Sequence, residues 1–492
     1  MAYLNYINGQ FVPSKSGQTF NNLNPSNKDE VIGQFPRSNQ EDVNLAVSAA
    51  KEAFAGWSAT PAPKRGEIIY LAGQLLLERK EEISQVIAKE MGKVKAAADG
   101  DVQSAVDMAF FSAGEGRRLY GQTTNSALSN RMAFTRRVPV GVCALITPWN
   151  APAAAIAWKL FPALICGNTV VVKPAEDTPL TAQLIFEVLE KAGLPAGVAN
   201  LVQGYGQEAG EALANHHEVN LISFTGSTEV GSHLNEIGAS KLIKVSLEMG
   251  GKNGVLVMAD ADLDLAVDGV VSGAFSIAGQ RCAATSRVIV QSSVYDQFLE
   301  KLVSKTKVLK IGPANDDSSY VTPIINQKQL DQVSKYVEEA KASGAEVLTG
   351  GEVLTEGEFS KGFYYAPTVL TNIRVGDKIF QEEVFGPVVV VVKYGDLEEG
   401  LKLMNATSYG LTASVFTKDS AKGLQMIDRI KAGVVYLNAP TFGSEVHLPF
   451  GGFGLSGNSH REAGSGGIDV FSDWQTVYLD YSAGIQNSQM KK

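Results

Sequence analysis

Cysteine is scarce in this chain: 492 residues contain three, Cys143, Cys166 and Cys282. Thiols so few and so widely spaced build no disulfide framework, which points to a reducing compartment. Histidine is nearly as rare, with five residues, and the adjacent His216 and His217 lack the cysteine spacing of a zinc site. No metal is expected. Positive charge is also in deficit, 43 Lys and Arg against 52 Asp and Glu, for a formal net charge of -9. That excludes nucleic acid held on a general basic surface, though not a local pocket for a small anion. No run approaches the ~18 apolar residues of a spanning helix. Met1 to Asn5 lack signal-peptide features, and Gln489 to Lys492 carry no lipidation or peroxisomal signal. The expectations are no membrane partner and a cytoplasmic location.

What is present is a long chain with a changing rhythm. Its length suggests two to four units. Residues 3–37 mix short apolar runs with Asn, Gly, Pro and Ser, as extended segments and turns do. Helical patterning covers 39–54, 64–92 and 96–120; 121–131 is polar and turn-rich, and 132–138 alternates like an exposed strand. From Pro139, apolar runs at 140–147, 169–173, 198–202, 220–224 and 243–247 alternate with helix-like segments at 151–164, 179–192, 207–215 and 228–239. Pro179 suits a helical first turn, and Gly193 followed by Pro195 suits a stop. Strands and helices in this alternation predict βαβ units and a parallel sheet covered on both faces, an α/β fold. A second alternating region spans 253–438, its clearest strands at 254–258, 286–290, 388–392, 413–416 and 434–437. Helix-like pieces there are 295–309, 327–342 and 420–430. The tail, 473–482, alternates like a strand that pairs with an edge elsewhere or with another subunit.

Chemistry concentrates where these elements end. Ala278-Gly279-Gln280-Arg281-Cys282 reads as a turn between a helix-like run, 263–277, and a strand-like run, 286–290. Cys282 there is either a buried small hydrophobe or a nucleophile with a tunable thiol. Cys143 and Cys166 sit in apolar runs and read as packing. Lys173 and Glu176 end one strand, where ligands of open parallel sheets bind. An acid there accepts from a ribose 2′-OH and repels a 2′-phosphate; the other reading is a surface ion pair. Asn150, after Thr147-Pro148-Trp149, ends another strand and has an amide able to donate to an oxyanion. Glu248, between Leu247 and Met249, is either a base raised in pKa or a solvated strand end. Phe224-Thr225-Gly226-Ser227-Thr228 joins strand to helix and suits a phosphate, although it does not match the G-x-G-x-x-G fingerprint.

Taken together, Pro148-Trp149-Asn150, Val172-Lys173-Pro174-Ala175-Glu176, Phe224 to Thr228, Leu247 to Lys252, Gly279 to Cys282, Glu382 to Pro387 and Pro449-Phe450-Gly451-Gly452 resemble the NAD(P)-dependent aldehyde dehydrogenase superfamily. The likeness spans nearly the whole chain in the family's motif order. It implies a Rossmann-like cofactor domain of residues 1–120 and 139–251 and an α/β catalytic domain of 252–450. A small β oligomerisation element of 121–138 and 468–492 and a connecting segment, 451–467, complete it. It further implies a homodimer or homotetramer acting on a small-molecule aldehyde. By the same resemblance Cys282 is the nucleophile, and Asn150 with the Cys282 N–H holds the oxyanion. Glu248 activates water, and Lys159 with Glu462 relays protons. Lys173 and Glu176 match adenosine-ribose contacts, Gly226 and Ser227 the pyrophosphate turn, and Glu383 and Phe385 the nicotinamide-ribose side. Thr147, Pro148 and Trp149 join the cofactor set. NAD is the implied cofactor, with NADP left open.

Two departures from the family pattern stand out. Asn253-Gly254 lies where many relatives carry a proline after the Asn or Ser, a difference expected to loosen a connection without touching chemistry. Phe453-Gly454-Leu455-Ser456-Gly457 lacks the commoner lysine. Ala151, Ala155 and Ser276 align with bulky apolar residues of several relatives, leaving Trp158 as one wall of a wider, more polar tunnel. Arg281 is either a structural or solvent-facing residue or the partner of a substrate carboxylate. The tail, His447-Leu448-Pro449-Phe450-Gly451-Gly452 with His460-Arg461-Glu462-Ala463-Gly464, most resembles the α-ketoglutaric semialdehyde (2,5-dioxopentanoate) dehydrogenase-like subgroup. The rivals are a CoA-acylating aldehyde dehydrogenase and a non-catalytic structural or binding protein on the same fold. A thiol hydrolase is disfavoured, because no His stands as an evident partner for Cys282.

Overall fold

Apolar runs bounded by turn residues become the centres of two sheets in the computed structural model, which describes residues 2–486. Five parallel strands form the first, in the order Lys244–Glu248, Leu221–Thr225, Val142–Ile146, Thr169–Lys173 and Ala199–Leu201. Numbered along the chain the order is 5-4-1-2-3, so the direction of winding reverses between Val142–Ile146 and Leu221–Thr225. A crevice for ligands opens outside the carboxyl ends of strands at such a point. The residues of these strands are almost all buried, as strands covered on both faces must be. Asn5–Ile7 and Gln10–Val12 extend this sheet antiparallel, with Tyr6 opposite Leu201.

The second sheet runs Glu346–Thr349, Thr368–Thr371, Val388–Tyr394, Thr285–Gln291, Asn253–Val257, Thr412–Phe416 and Val434–Leu437. All neighbours are parallel except the first pair. The tail finds its partner inside the chain: Ser472–Asp480 lies antiparallel to Arg131–Pro139, which in turn pairs with Thr123–Asn125. The free edge of Ser472–Asp480 carries no further strand among the described residues. Residues 487–492, counted above in the oligomerisation element, lie outside the described residues, as does Met1.

Several expected elements shift for identifiable reasons. The helical stretch 64–92 is two helices, Ala62–Glu78 and Lys80–Met91. They break at Arg79, whose guanidinium reaches Glu82 and Glu187. The segment 207–215 opens as a π turn, Gly206–Gly210, before Glu211–Asn215 becomes α-helical. The helix before Cys282 stops at Phe275, two residues short of the expected 277. Pro152–Ile165, the helix after the first central strand, is held at both ends by distant charges. Arg65 Nε and Nη2 donate to the Ile165 carbonyl at 3.1 and 2.8 Å, while Asp101 Oδ1 accepts from the Ala154 N–H at 2.8 Å.

Candidate active site

Register brings the strand ends into one row. Thr225 pairs with Glu248, and Ile146 pairs with Phe224, so Thr147 comes next to them at the edge of the crevice. The Thr147 and Thr225 hydroxyls and both Glu248 carboxyl oxygens are buried with no hydrogen-bond partner among the described residues. Buried polar atoms seldom remain unpaired unless they serve a ligand, a water or a reaction. Glu248 is 3 % exposed. Burial holds its carboxyl well above the usual carboxylate range, while Lys159 and Arg461 pull the other way. Room for the carboxyl comes from Gly451, where a Cβ would collide with Glu248 Oε1.

Lys159 is fully buried on the helix Pro152–Ile165 and pairs with Glu462. Burial lowers its ammonium to about 7, and Glu248 partly opposes the shift. Glu248, Lys159 and Glu462 thus form one electrostatically linked group inside the protein.

Cys282 follows an unusual turn. Ile277, Ala278 and Gly279 all take left-handed backbone angles, with φ of 55°, 50° and 67°. For a β-branched residue such as Ile277 this is rare, and each such residue costs about 1–3 kcal/mol. Gln280, fully buried, holds the turn: its amide nitrogen donates to the carbonyls of Ile277 and Pro323, both at 3.1 Å, and its oxygen accepts from the Ile325 N–H at 2.9 Å. Beyond the turn, Asn253 Nδ2 donates to the carbonyls of Cys282 and Ala284 at 2.7 and 2.9 Å. Asn253 is the residue that matches the family pattern, and the departure lies next to it at Gly254; the anchoring of the cysteine comes from the matching side chain. Burial pushes the Cys282 thiol up to about 12, assisted by Glu383 and Glu248 and opposed by the N–H groups of Cys282 and Ala283.

Asn150 stands at the same point, its Nδ2 donating to the Gln280 carbonyl at 3.1 Å. One amide hydrogen makes that bond and the second is available to a ligand. Its backbone carbonyl accepts from Lys93 Nζ at 3.1 Å, and Lys93 is paired with Asp101 at 2.7 Å, both side chains 2 % exposed. Sequence patterning offered no signal for Lys93 or Asp101. Both lie in or beside helices far from residue 150, and only the fold joins them.

The crevice carries the other predicted residues. Lys173, 2 % exposed, reaches Glu176 Oε2 at 3.1 Å, leaving the second carboxyl oxygen of Glu176 without a charged partner among the described residues. Ser227 caps the helix Thr228–Lys241 by accepting from the Val230 N–H, and a Cβ at Gly226 would strike the Phe224 ring. Small residues at a free helix start suit a phosphate. Glu383 accepts from the Gly251 N–H at 2.9 Å. Its carboxyl is raised to about 7 by burial, and Gly250 leaves space for it. Phe385, at φ 54°, meets Trp149 edge to face with ring centroids 5.3 Å apart. Pro148 lies between Thr147 and that tryptophan.

Arg281 is half-buried and forms no ion pair among the described residues. Nη1 donates to Ser276 Oγ at 2.6 Å, the guanidinium lies over the Phe442 ring at 4.3 Å, and burial lowers it to about 10. Ser276 is therefore the holder of Arg281, its own hydroxyl donating in turn to the Ser272 carbonyl. Trp158 donates from Nε1 to Ser104 Oγ at 2.9 Å and meets Phe450 edge to face. Ala155 precedes it on the same helix and Ala151 stands at that helix's start, its carbonyl accepting from the Ala155 N–H.

Comparison with known proteins agrees with this geometry. Residues 11–477 match the aldehyde dehydrogenase family, and the chain belongs to it. It is 42 % identical to the α-ketoglutaric semialdehyde dehydrogenase of Bacillus subtilis over 477 residues, 97 % of this chain and 98 % of that one. Against the 2,5-dioxopentanoate dehydrogenase of Saccharolobus solfataricus the identity is 38 % over 466 residues, 94 % and 96 % of the two chains. Among solved structures, betaine aldehyde dehydrogenase from Staphylococcus aureus in complex with NAD+ superposes with a TM-score of 0.96 at 34 % identity, covering 99 % of this chain and 97 % of that one. The chain is accordingly an oxidoreductase of the family that acts on small-molecule aldehydes.

A thiol raised to about 12 is neutral at physiological pH, and its reactive form grows with pH. Alkylation of Cys282 by iodoacetamide in the ligand-free protein should climb about tenfold per pH unit between pH 6 and 9 without levelling. Peptide-resolved mass spectrometry reads it, and a plateau near pH 7 defeats the assignment.

Proposed function

We propose that this chain oxidises an aldehyde to its carboxylate with NAD, through a thiohemiacetal and then a thioester on Cys282. The observation that carries this reading is the Glu248 carboxyl, buried without a hydrogen-bond partner, electrostatically coupled to Cys282 on one side and Lys159 on the other. The unpaired hydroxyls of Thr147 and Thr225, the Gly226–Ser227 helix start and the free oxygen of Glu176 fit a dinucleotide. Lys173 and Glu176 would hold its adenosine ribose, Gly226 and Ser227 its pyrophosphate, and Glu383 and Phe385 its second ribose, with Thr147, Pro148 and Trp149 lining the floor. Bound NAD supplies the acceptor for the hydride that leaves the substrate carbon. A carboxylate at Glu176 favours NAD over NADP by repelling a 2′-phosphate.

Once its thiol proton has passed to water, Cys282 Sγ adds to the aldehyde carbon, and the oxyanion so formed accepts from Asn150 Nδ2 and the Cys282 N–H; one such donor is commonly worth ~10²–10³ in rate. Lys93 and Asp101 hold the Asn150 backbone at that spacing. After oxidation, Glu248 takes a proton from water, the resulting hydroxide opens the thioester, and Lys159 with Glu462 passes the proton outward. Covalent catalysis of this kind splits one difficult oxidation into two easier steps.

Arg281 supports a substrate with a second, distal carboxylate, because its half-buried guanidinium is tethered, among the described residues, by Ser276 and Phe442 and by no carboxylate. The relatives named for α-ketoglutaric semialdehyde and 2,5-dioxopentanoate act on such a molecule. Ala151, Ala155 and Trp158 would line its path. The two large sheets and the small one support a division into a cofactor domain (1–120 and 139–251), a catalytic domain (252–450) and an oligomerisation element (121–138 and 468–492). The free edge of Ser472–Asp480, with Trp474, Tyr478 and Leu479 each more than half exposed, supports a homodimer or homotetramer; light scattering on Trp474→Glu should report a smaller particle. No helix among the described residues is long and apolar enough to cross a membrane, and the reduced thiols support a cytoplasmic location.

Glu248→Gln should keep a first-turnover burst of NADH while steady turnover falls by ~10²-fold or more. Cys282→Ala should show neither burst nor turnover. Undiminished steady turnover in Glu248→Gln removes Glu248 from the mechanism, and acyl-CoA formed when CoA is added shifts the reading to the acylating rival.

Arg281→Ala should lower kcat/KM for ω-carboxylated aldehydes by ~10–100-fold, the scale of a lost charge-assisted hydrogen bond. Neutral aldehydes of equal length should lose far less. An aldehyde panel run with NAD and NADP reads both selectivities, and equal losses across the panel refute the carboxylate anchor.

A further inference from the structure

Two turns of left-handed backbone face each other across the site. One is Ile277–Gly279, leading to Cys282; the other is at Phe385, between Glu383 and the strand Val388–Tyr394. They touch: a Cβ at Gly279 would collide with the Gly386 carbonyl. Neither turn is held by its own neighbours alone. Gln280 fastens the first to the Pro323 carbonyl and the Ile325 N–H. Gln329 fastens the second, its Nε2 donating to the carbonyls of Val384 and Phe385 at 3.1 and 3.0 Å. Between these two attachments lies Asn326, which caps the helix Gln327–Ala342 by accepting from the Gln329 N–H at 2.9 Å. Its Nδ2 donates to Asp177 Oδ1 at 3.0 Å, in the segment just after Glu176.

We infer that Pro323–Gln329 is a single bracket that sets the spacing between the nucleophile turn and the nicotinamide-ribose turn and ties both to the cofactor sheet, with Gln280, Asn326 and Gln329 as its positioning residues. The physical argument is that a left-handed residue with a side chain persists only where surrounding bonds over-determine it. Here both sets of bonds converge on seven consecutive residues. None of the three side chains needs to touch substrate or cofactor. Gln329 acts through Glu383 and Phe385, Gln280 through Cys282, and Asn326 through both. The inference rests on the proposed roles of Cys282 and Glu383, so its test avoids turnover.

The test measures NAD affinity by calorimetry and Cys282 alkylation rate by mass spectrometry in full-length variants, with Tm recorded for each. Gln329→Met and Gln280→Met keep side-chain length and remove the polar atoms. Gln329→Met should weaken NAD by about tenfold, the scale of two lost hydrogen bonds, with alkylation within about twofold of wild type. Gln280→Met should slow alkylation by about tenfold with NAD affinity nearly unchanged, because a loosened turn no longer aims the N–H groups of Cys282 and Ala283 at the sulfur. Asn326→Asp retains the cap but replaces the donor to Asp177 with a second carboxyl, and should move both readouts. Unchanged readouts in the two methionine variants overturn the bracket. Parallel losses of both readouts in each variant, tracking a fall in Tm, also overturn it by marking ordinary packing. Wild-type protein that binds no NAD overturns the functional reading and the inference with it.

Discussion

A carboxyl group buried without a hydrogen-bond partner is costly, by roughly 1–3 kcal/mol for a neutral group and by far more for a charged one. Glu248 is such a group, and much of the surrounding structure can be read as accommodating it. It ends a strand buried on both faces, where register lines it up with Thr225 and Thr147 at the reversal point of the sheet. Gly451 gives up its side chain to leave space. The nearest compensation is Lys159, itself buried and itself paired with Glu462. A well-packed hydrophobic residue would be more stable here. The cost fits the proposed role of Glu248, a base that meets water only when a thioester is present.

The same economy appears in the backbone. Left-handed angles at Ile277, Ala278 and Phe385 are unfavourable locally and are held by side-chain amides from elsewhere in the chain. Glutamine and asparagine suit this task, since each offers donors and an acceptor on one neutral group and can bind a carbonyl and an N–H together. Asn253, Gln280, Asn326 and Gln329 all serve in this way around Cys282 and Glu383. The thiol is consequently set by its surroundings, first by burial and then by the Glu383 and Glu248 carboxyls.

Much of this was legible before any coordinates. Periodicity located all five parallel strands of the first sheet within two residues at each end, because strands buried on both faces are continuous apolar runs with sharp turn signals. The helix 327–342 and the strands 169–173 and 434–437 matched their expected limits. Break points were harder. Arg79 splits a helix through ion pairs that its neighbours in sequence do not reveal, and the antiparallel N-terminal strands join a sheet whose nearest member lies some two hundred positions away.

The sequence by itself determined the α/β class, the family motifs and the chemical identity of Cys282, Glu248, Asn150, Lys173 and Glu176, since these depend on local pattern and residue type. Only the tertiary structure decided which side chains hold those groups in place. Lys93 and Asp101 behind Asn150, Ser276 and Phe442 around Arg281, and Pro323–Gln329 beneath both turns are joined by hydrogen bonds and stacking between residues 5 to 161 positions apart. Such contacts leave no period in the chain. The turn that presents Cys282 shows the division plainly: its small and polar residues announced a turn, whereas its left-handed run exists because distant amides hold it.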